Sequence, residues 1–306
     1  MPDLASLAAA YERDGYVIAR GLLPPQLVAE LARHTERELV PLCGAGGKDA
    51  PGAQQIQSIY DRSRRLTVAK VNQLTERDPA FTSLSHHGAL VDAVEAVLGV
   101  GARKFRDVLI IKPARSEGFF SYHQDSAYWD VEPKALVSCW VPLGDVSEAA
   151  SCLRVVPGSH RALLRHGMFW PSGKPVPRVL VNALRKLVSV AGTGDAPRST
   201  GGNLVMWRLK RAITEATRRM PAITSLLDYR VDPEELAAWT PREVALPVAA
   251  GDVILFHSLL LHSSGANLTD HARYASIISY MSREARFVGR GTPHFLAARL
   301  GGPGSS

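Results

Sequence analysis

Gly251-Asp252-Val253-Ile254-Leu255-Phe256-His257-Ser258-Leu259-Leu260-Leu261-His262-Ser263-Ser264-Gly265 opens on a Gly-Asp turn signal and closes on Ser-Ser-Gly. Between them, Asp252 to Phe256 is a short apolar run of β-branched and aromatic character, which predicts a strand. Similar runs recur at Val108 to Lys112, Phe119 to His123, Leu136 to Leu143, Leu153 to Val156 and Tyr274 to Met281. Short strands punctuated by Gly, Pro and Asp predict a β-sandwich or barrel. Upstream the pattern is helical. Leu4 to Asp14 is amphipathic, Gly15 to Ala19 is strand-like, Pro24 to Leu39 resumes a helical period behind Pro24 and Pro25, and Leu84 to Leu98 is a helix ending at Gly99. Helices first and strands afterwards indicate α+β rather than alternating βαβ.

The 306 residues, 46% hydrophobic and 21% charged, suit a globular protein with a sizeable core, expected as a single domain over 1–306. The N-terminus has no basic-then-apolar leader pattern, and no apolar run matches a bilayer span, so a cytoplasmic enzyme without a membrane partner is the expectation. Cys43, Cys139 and Cys152 have neither zinc spacing nor an even count, and are read as core thiols. The stretch Cys43 to Gln55, with Gly44, Gly46, Gly47, Pro51 and Gly52, has loop composition.

The net charge of +7 has an address. From Arg161 to Ala245 there are 14 Lys+Arg and 7 Asp+Glu, leaving 22 of each sign elsewhere. These basic residues are not interleaved with aromatics in a recognisable motif, so a nucleic-acid partner is not expected. The span 161–250 is too long for a simple connection and reads as an inserted, basic, lid-like segment with a helix near Asn203 to Arg219. Nothing in the sequence specifies an oligomeric state.

In Tyr122-His123-Gln124-Asp125, His and Asp are two apart, so on a strand both face one side and can share an ion. An imidazole pair with one carboxylate leaves one face of an octahedron open, as iron(II) oxygenases require. The second imidazole must come from far away in sequence, and His257 and His262 compete for the role. Five apart, they face opposite sides of a continuous strand. His262, beside the Ser-Ser-Gly turn, has the strand-end position that suits a ligand at an open pocket. Arg273, on the next strand, is a natural bidentate partner for an organic carboxylate, and Ser264 could add a hydroxyl to it.

The order His123-x-Asp125, a Trp-containing strand (Val137-Ser138-Cys139-Trp140), Pro157-Gly158-Ser159-His160, Gly251-Asp252, and His262 followed by Arg273 resembles the phytanoyl-CoA dioxygenase family of iron(II)/2-oxoglutarate oxygenases. Asp14-Gly15-Tyr16-Val17 with its following helix resembles that family's opening. The resemblance implies a double-stranded β-helix (jelly-roll, cupin-like) core with flanking N-terminal helices. It implies iron(II) on His123, Asp125 and His262, and 2-oxoglutarate against Arg273, Ser264, Trp140, Lys70 and Val108. It further implies dioxygen as co-reactant and allows for stimulation by ascorbate.

The expected reaction is hydroxylation of an unactivated C–H bond of a small molecule, with oxidative decarboxylation of 2-oxoglutarate. Desaturation, cyclisation or epimerisation could follow the same hydrogen abstraction, while Asp125 as a ligand argues against halogenation. A non-catalytic jelly-roll binding module is the reading from another class. Gln124, Tyr128, Trp129 and Trp207 are candidate substrate contacts, the last beside Arg208, Lys210 and Arg211. That basic group points to an anionic or carrier-tethered thioester substrate. His160 reads as a turn residue rather than a ligand. One departure from the family pattern is Ala150-Ser151 where Asn-Gly is usual, a change in a turn that touches no expected ligand.

Overall fold

The computed structural model of the chain describes residues 3–43, 56–61, 63–169, 175–177 and 228–288. Its central layer is a seven-stranded antiparallel sheet. The chain supplies it with β1 (Tyr16–Ala19), β2 (Ile56–Tyr60), β3 (Leu66–Asn72) and β4 (Arg103–Lys112), and after β5 (Phe120–His123) and β6 (Val131–Glu132) with β7 (Leu136–Pro142). Four further strands follow: β8 (Leu153–Val155), β9 (His166–Phe169), β10 (Asp228–Val231) and β11 (Val244–Leu246). The last four are β12 (Val253–His257), β13 (His262–Ser264), β14 (Arg273–Met281) and β15 (Arg286–Phe287). The large sheet runs β1-β12-β7-β14-β4-β3-β2, and a second antiparallel sheet runs β11-β8-β13-β5.

Strand periodicity sorts the side chains between two layers. Val137, Cys139 and Val141 of β7, Leu109 and Ile111 of β4, and Ile278 and Tyr280 of β14 pack on the helices. Those helices are α1 (Leu4–Asp14), α2 (Pro25–His34), α3 (Pro79–Ser85) and α4 (Gly88–Leu98). The opposite face presents Trp140, Ile254, Phe256 and Ala275 to Leu153, Val155 and Leu246 of the smaller sheet. Each fully buried Leu, Val, Ile or Phe contributes about 1.5–3 kcal/mol, so both faces of the large sheet stabilise the fold.

The N-terminal motif has a local explanation. Asp3 caps α1 by accepting from the Ala5 and Ser6 amides. Gly15 ends it at φ 81, where a Cβ would collide with the His160 ring. Asp252 then ties β1 to β12, accepting from the Gly21 and Ala249 amides at 2.9 and 3.0 Å and from Arg20 at 2.6 Å.

Three expectations about elements need correction. The helix read as Leu84 to Leu98 is two helices: the Ser85 carbonyl accepts from the Tyr280 hydroxyl at 2.8 Å, and α4 starts afresh behind His87. Pro24 to Leu39 is α2 followed by a wider π-helical turn, Thr35–Leu39. The span 161–250 is not all insertion, because β11 is the edge strand of the smaller sheet beside β8. Within it, β9 pairs with β10, and α5 (Pro233–Trp239) packs with Val231 over Tyr122, Val156 and Leu261. The loop of 44–55 and the helix near Asn203 to Arg219 lie outside the described residues. Cys43, Cys139 and Cys152 are buried free thiols, and burial pushes each one's pKa up. Among the described residues no helix is long and apolar enough to cross a membrane.

Candidate metal and cosubstrate site

His123 ends β5 and His262 begins β13, and the two are cross-strand partners in the smaller sheet. Their rings lie 4.2 Å apart between centroids. Asp125 follows β5 in a short 3-10 turn, with Oδ1 3.8 Å from His123 Nε2 and 4.0 Å from His262 Nε2. Among the described residues these three form a group with one ligand atom each, all within 4.8 Å of one another. A divalent ion bound at roughly 2.1 Å to each donor accommodates such separations.

The orientation of each donor has a cause. His123 Nδ1 donates to the Ser121 carbonyl at 2.7 Å and His262 Nδ1 to the Leu260 carbonyl at 2.9 Å, which turns each Nε2 lone pair inward. Asp125 Oδ2 accepts from the Ser138 hydroxyl at 3.2 Å, itself 2.9 Å from Ser279. Ser159 of the Pro-Gly-Ser-His turn accepts from the Leu261 amide at 2.8 Å and fixes the entry to β13. The donor set therefore fits an iron(II) ion.

His257 faces away from this cluster. Its Nδ1 accepts from the Leu259 amide at 3.0 Å, and its ring lies against Tyr11 and His160. Burial, then the neighbouring His160, holds its imidazole down to about 4. Its folded-state pKa is thus below the unfolded value, so its contribution is fully present above about pH 6.5 and is lost as pH falls towards the folded value. The loss should be on the order of 3 kcal/mol. Urea unfolding at neutral and acid pH checks this: the decline should be shallower in His257→Gln, and an equal decline would remove His257 as its source.

Along the inner face of the large sheet, Arg273 of β14 is 5% exposed and lies with its guanidinium 5.6 Å from the Trp140 ring centroid. Its Nη2 donates to the Ser151 carbonyl at 3.2 Å, while Nε and Nη1 are buried without a partner. Burial lowers its pKa to about 10, so it stays charged at neutral pH. A guanidinium fork with two unsatisfied N–H groups in a dry site fits a carboxylate. Val108 and Ile277 line the same face, and Lys70 stands over the Phe120 ring at 4.6 Å.

Two expected substrate contacts are corrected. Gln124 is fully buried, and its amide is taken up in stapling loops, donating to the Ala162 and Leu259 carbonyls and accepting from the Leu164 amide. Trp129 belongs to a core cluster with Phe105, Val131, Leu136 and Met281, its ring edge-on to Phe105 at 5.1 Å. Tyr128 does lie near the site, with its ring 5.8 Å from that of His123. Trp207 lies outside the described residues.

Sequence reasoning missed Lys112, Ser138, Arg106 and the side chain of Ser151. Parity could have found Lys112, since Val108, Ile110 and Lys112 share one face of β4. Arg106, on that same face, is close enough to Asp125 for the carboxylate to support its charge against burial.

A profile of the phytanoyl-CoA dioxygenase (PhyH) family matches residues 11–275. This chain belongs to the phytanoyl-CoA dioxygenase family. The peroxisomal phytanoyl-CoA dioxygenase of Rattus norvegicus is 26% identical over 298 residues, covering 94% of this chain and 72% of that protein. The ectoine dioxygenase of Sphingopyxis alaskensis is 24% identical over 310 residues, covering 97% of this chain and 84% of that protein. Among solved structures, EctD from S. alaskensis in its apoform superposes with a TM-score of 0.62 at 22% identity, covering 97% and 84% of the two chains. The epimerase SnoN in complex with Fe3+, alpha ketoglutarate and nogalamycin RO gives 0.59 at 22% identity, covering 99% and 92%. These structural likenesses show a shared fold. As a PhyH-family protein, the chain is a 2-oxoglutarate-dependent non-haem iron dioxygenase, an oxidoreductase using iron(II), 2-oxoglutarate and dioxygen.

Proposed function

We propose that this enzyme hydroxylates an unactivated C–H bond of a small anionic or thioester-tethered molecule in a jelly-roll site. In this reading His123, Asp125 and His262 hold iron(II), and Arg273, Ser264, Trp140, Lys70 and Val108 hold 2-oxoglutarate. The observation that carries it is the pairing of the His-Asp-His cluster with a buried guanidinium whose Nε and Nη1 have no partner. When bound, iron(II), 2-oxoglutarate and dioxygen together supply a two-electron oxidation: one oxygen atom enters succinate, carbon dioxide leaves, and the other oxygen enters the product.

The protein's own part is placement. Ser121 and Leu260 carbonyls fix both imidazole tautomers, Ser138 orients the Asp125 carboxylate, and Arg273 holds the far end of the cosubstrate. Trp140 and Val108, 2% and 7% exposed, keep water from the cosubstrate's chain. Tyr128, its ring 5.8 Å from that of His123, is a substrate contact in this reading.

The anionic substrate class rests on the charge excess between Arg161 and Ala245. Neutralising Arg208, Lys210 and Arg211 together should raise the apparent KM for an anionic substrate and leave that for 2-oxoglutarate unchanged. An unaltered substrate KM would remove the anionic class. A second outcome of the same chemistry is favoured by the neighbours called an epimerase, SnoN, and a carbocyclase, SnoK. Labelled dioxygen separates the two: hydroxylation puts one labelled atom in the product and one in succinate, whereas epimerisation or cyclisation labels succinate alone.

A further inference from the structure

Two buried basic side chains lie side by side on neighbouring strands of the large sheet. Arg273 on β14 and Lys112 on β4 are cross-strand partners, 5% and 0% exposed. Like charges in that relation destabilise a sheet, and burying them without a counter-charge costs several kcal/mol. Lys70 on β3 adds a third positive group, its ammonium and that of Lys112 lying 4.6 and 5.1 Å from the Phe120 ring centroid. Among the described residues, the elements that touch Lys112 and Arg273 offer neutral groups: Ser264 of β13, Phe120 of β5, and Ser151 with the Cys152 thiol in the turn before β8. Among the described residues no carboxylate bonds to Lys112 or Arg273.

Ser151 is the hub of this cluster. Its hydroxyl accepts from Lys112 at 2.9 Å and from Arg273 Nη2 at 3.3 Å, and donates to the Gly265 carbonyl at 2.7 Å. Lys112 also donates to the Ser264 hydroxyl at 3.0 Å and to the Gly265 carbonyl at 2.5 Å. Ser151 stands at φ 66, in the left-handed region that costs a side chain roughly 1–2 kcal/mol. Glycine would relieve that cost, yet the position carries a hydroxyl that bridges both basic side chains.

We propose that Lys112, coupled to Arg273 through Ser151, is a positioning residue that supplies a second buried positive charge for the distal carboxylate of 2-oxoglutarate and takes up a proton as the pocket fills. The inference rests on the assignment of Arg273 to that carboxylate. The Ser151 and Ser264 hydroxyls and the Gly265 and Ser264 carbonyls engage the donors of Lys112, so it acts through its charge and through the two hydroxyls it holds. Without a counter-charge, burial first, then Arg273 and Lys70, push Lys112 down to about 6. It is therefore largely neutral at physiological pH, and an arriving dianion favours the ammonium. The proton passes from solvent to Lys112 Nζ.

The test is calorimetric titration of 2-oxoglutarate into the anaerobic iron(II)-loaded protein at about pH 7.5, in buffers of different ionisation enthalpy. Wild type should take up close to one proton per 2-oxoglutarate, and its affinity should weaken as pH rises from about 6.5 to about 8.5. Lys112→Met should take up none and bind about tenfold or more weakly. Ser151→Gly should bind more weakly without losing melting temperature. No proton uptake by wild type with a flat pH profile overturns the proposal, and the wild-type data suffice should Lys112→Met not fold. Unchanged affinity in both variants also overturns it while the Arg273 assignment stands. Failure of wild type to bind 2-oxoglutarate overturns both readings, and so does unchanged binding by Arg273→Ala.

Discussion

His262→Ala is expected to abolish iron(II) binding and all 2-oxoglutarate turnover, the largest single effect in the chain. Its Nε2 is one of three inward-facing donors, and losing it leaves two, both supplied by the segment around β5. Losing an orienting partner of a metal ligand already costs about 10–100-fold in affinity, and losing the ligand itself should exceed that. The weak visible charge-transfer band of the anaerobic iron(II)–2-oxoglutarate complex provides the readout. It should be present in wild type and in His257→Ala and absent in His262→Ala. Persistence of the band in His262→Ala, or its loss in His257→Ala with the fold intact, would reverse the assignment of the two histidines.

Arg273→Ala is expected to weaken 2-oxoglutarate binding by about two orders of magnitude, with iron(II) affinity little changed. A buried, charge-assisted fork to a carboxylate is worth about 2–5 kcal/mol when truncated, and here Nε and Nη1 stand ready in a site 5% exposed. The variant should retain its melting temperature or gain slightly, because a buried cation opposite Lys112 has been removed. The same band, titrated with 2-oxoglutarate, would move its midpoint without losing its amplitude at saturation. A midpoint unchanged from wild type would detach Arg273 from the cosubstrate.

Much of this was legible in the sequence because it rests on short-range chemistry. Two-residue spacing in His123-Gln124-Asp125 puts two donors at one strand end, and turn residues around the apolar runs mark strands. What failed had long-range causes. Ser85 ends a helix because Tyr280, 195 residues away, takes its carbonyl. Gln124 stands between two site residues and looks like a pocket residue, but two loops close over it through three hydrogen bonds. Trp129 is four residues from Asp125, yet it faces Phe105 and the core.

By itself the sequence determined the α+β class, the family and the residue types of the iron site, since each depends on local periodicity or on a short ordered set of motifs. Only the tertiary structure separates His257 from His262: strand pairing puts His262 opposite His123, while His257 packs against α1 at Tyr11. It alone also gave Lys112 and Ser151 their meaning. Neither residue has a recognisable motif, and their proximity to Arg273 arises only when β4 and the turn before β8 fold against β14, where burial turns ordinary side chains into a coupled cationic cluster.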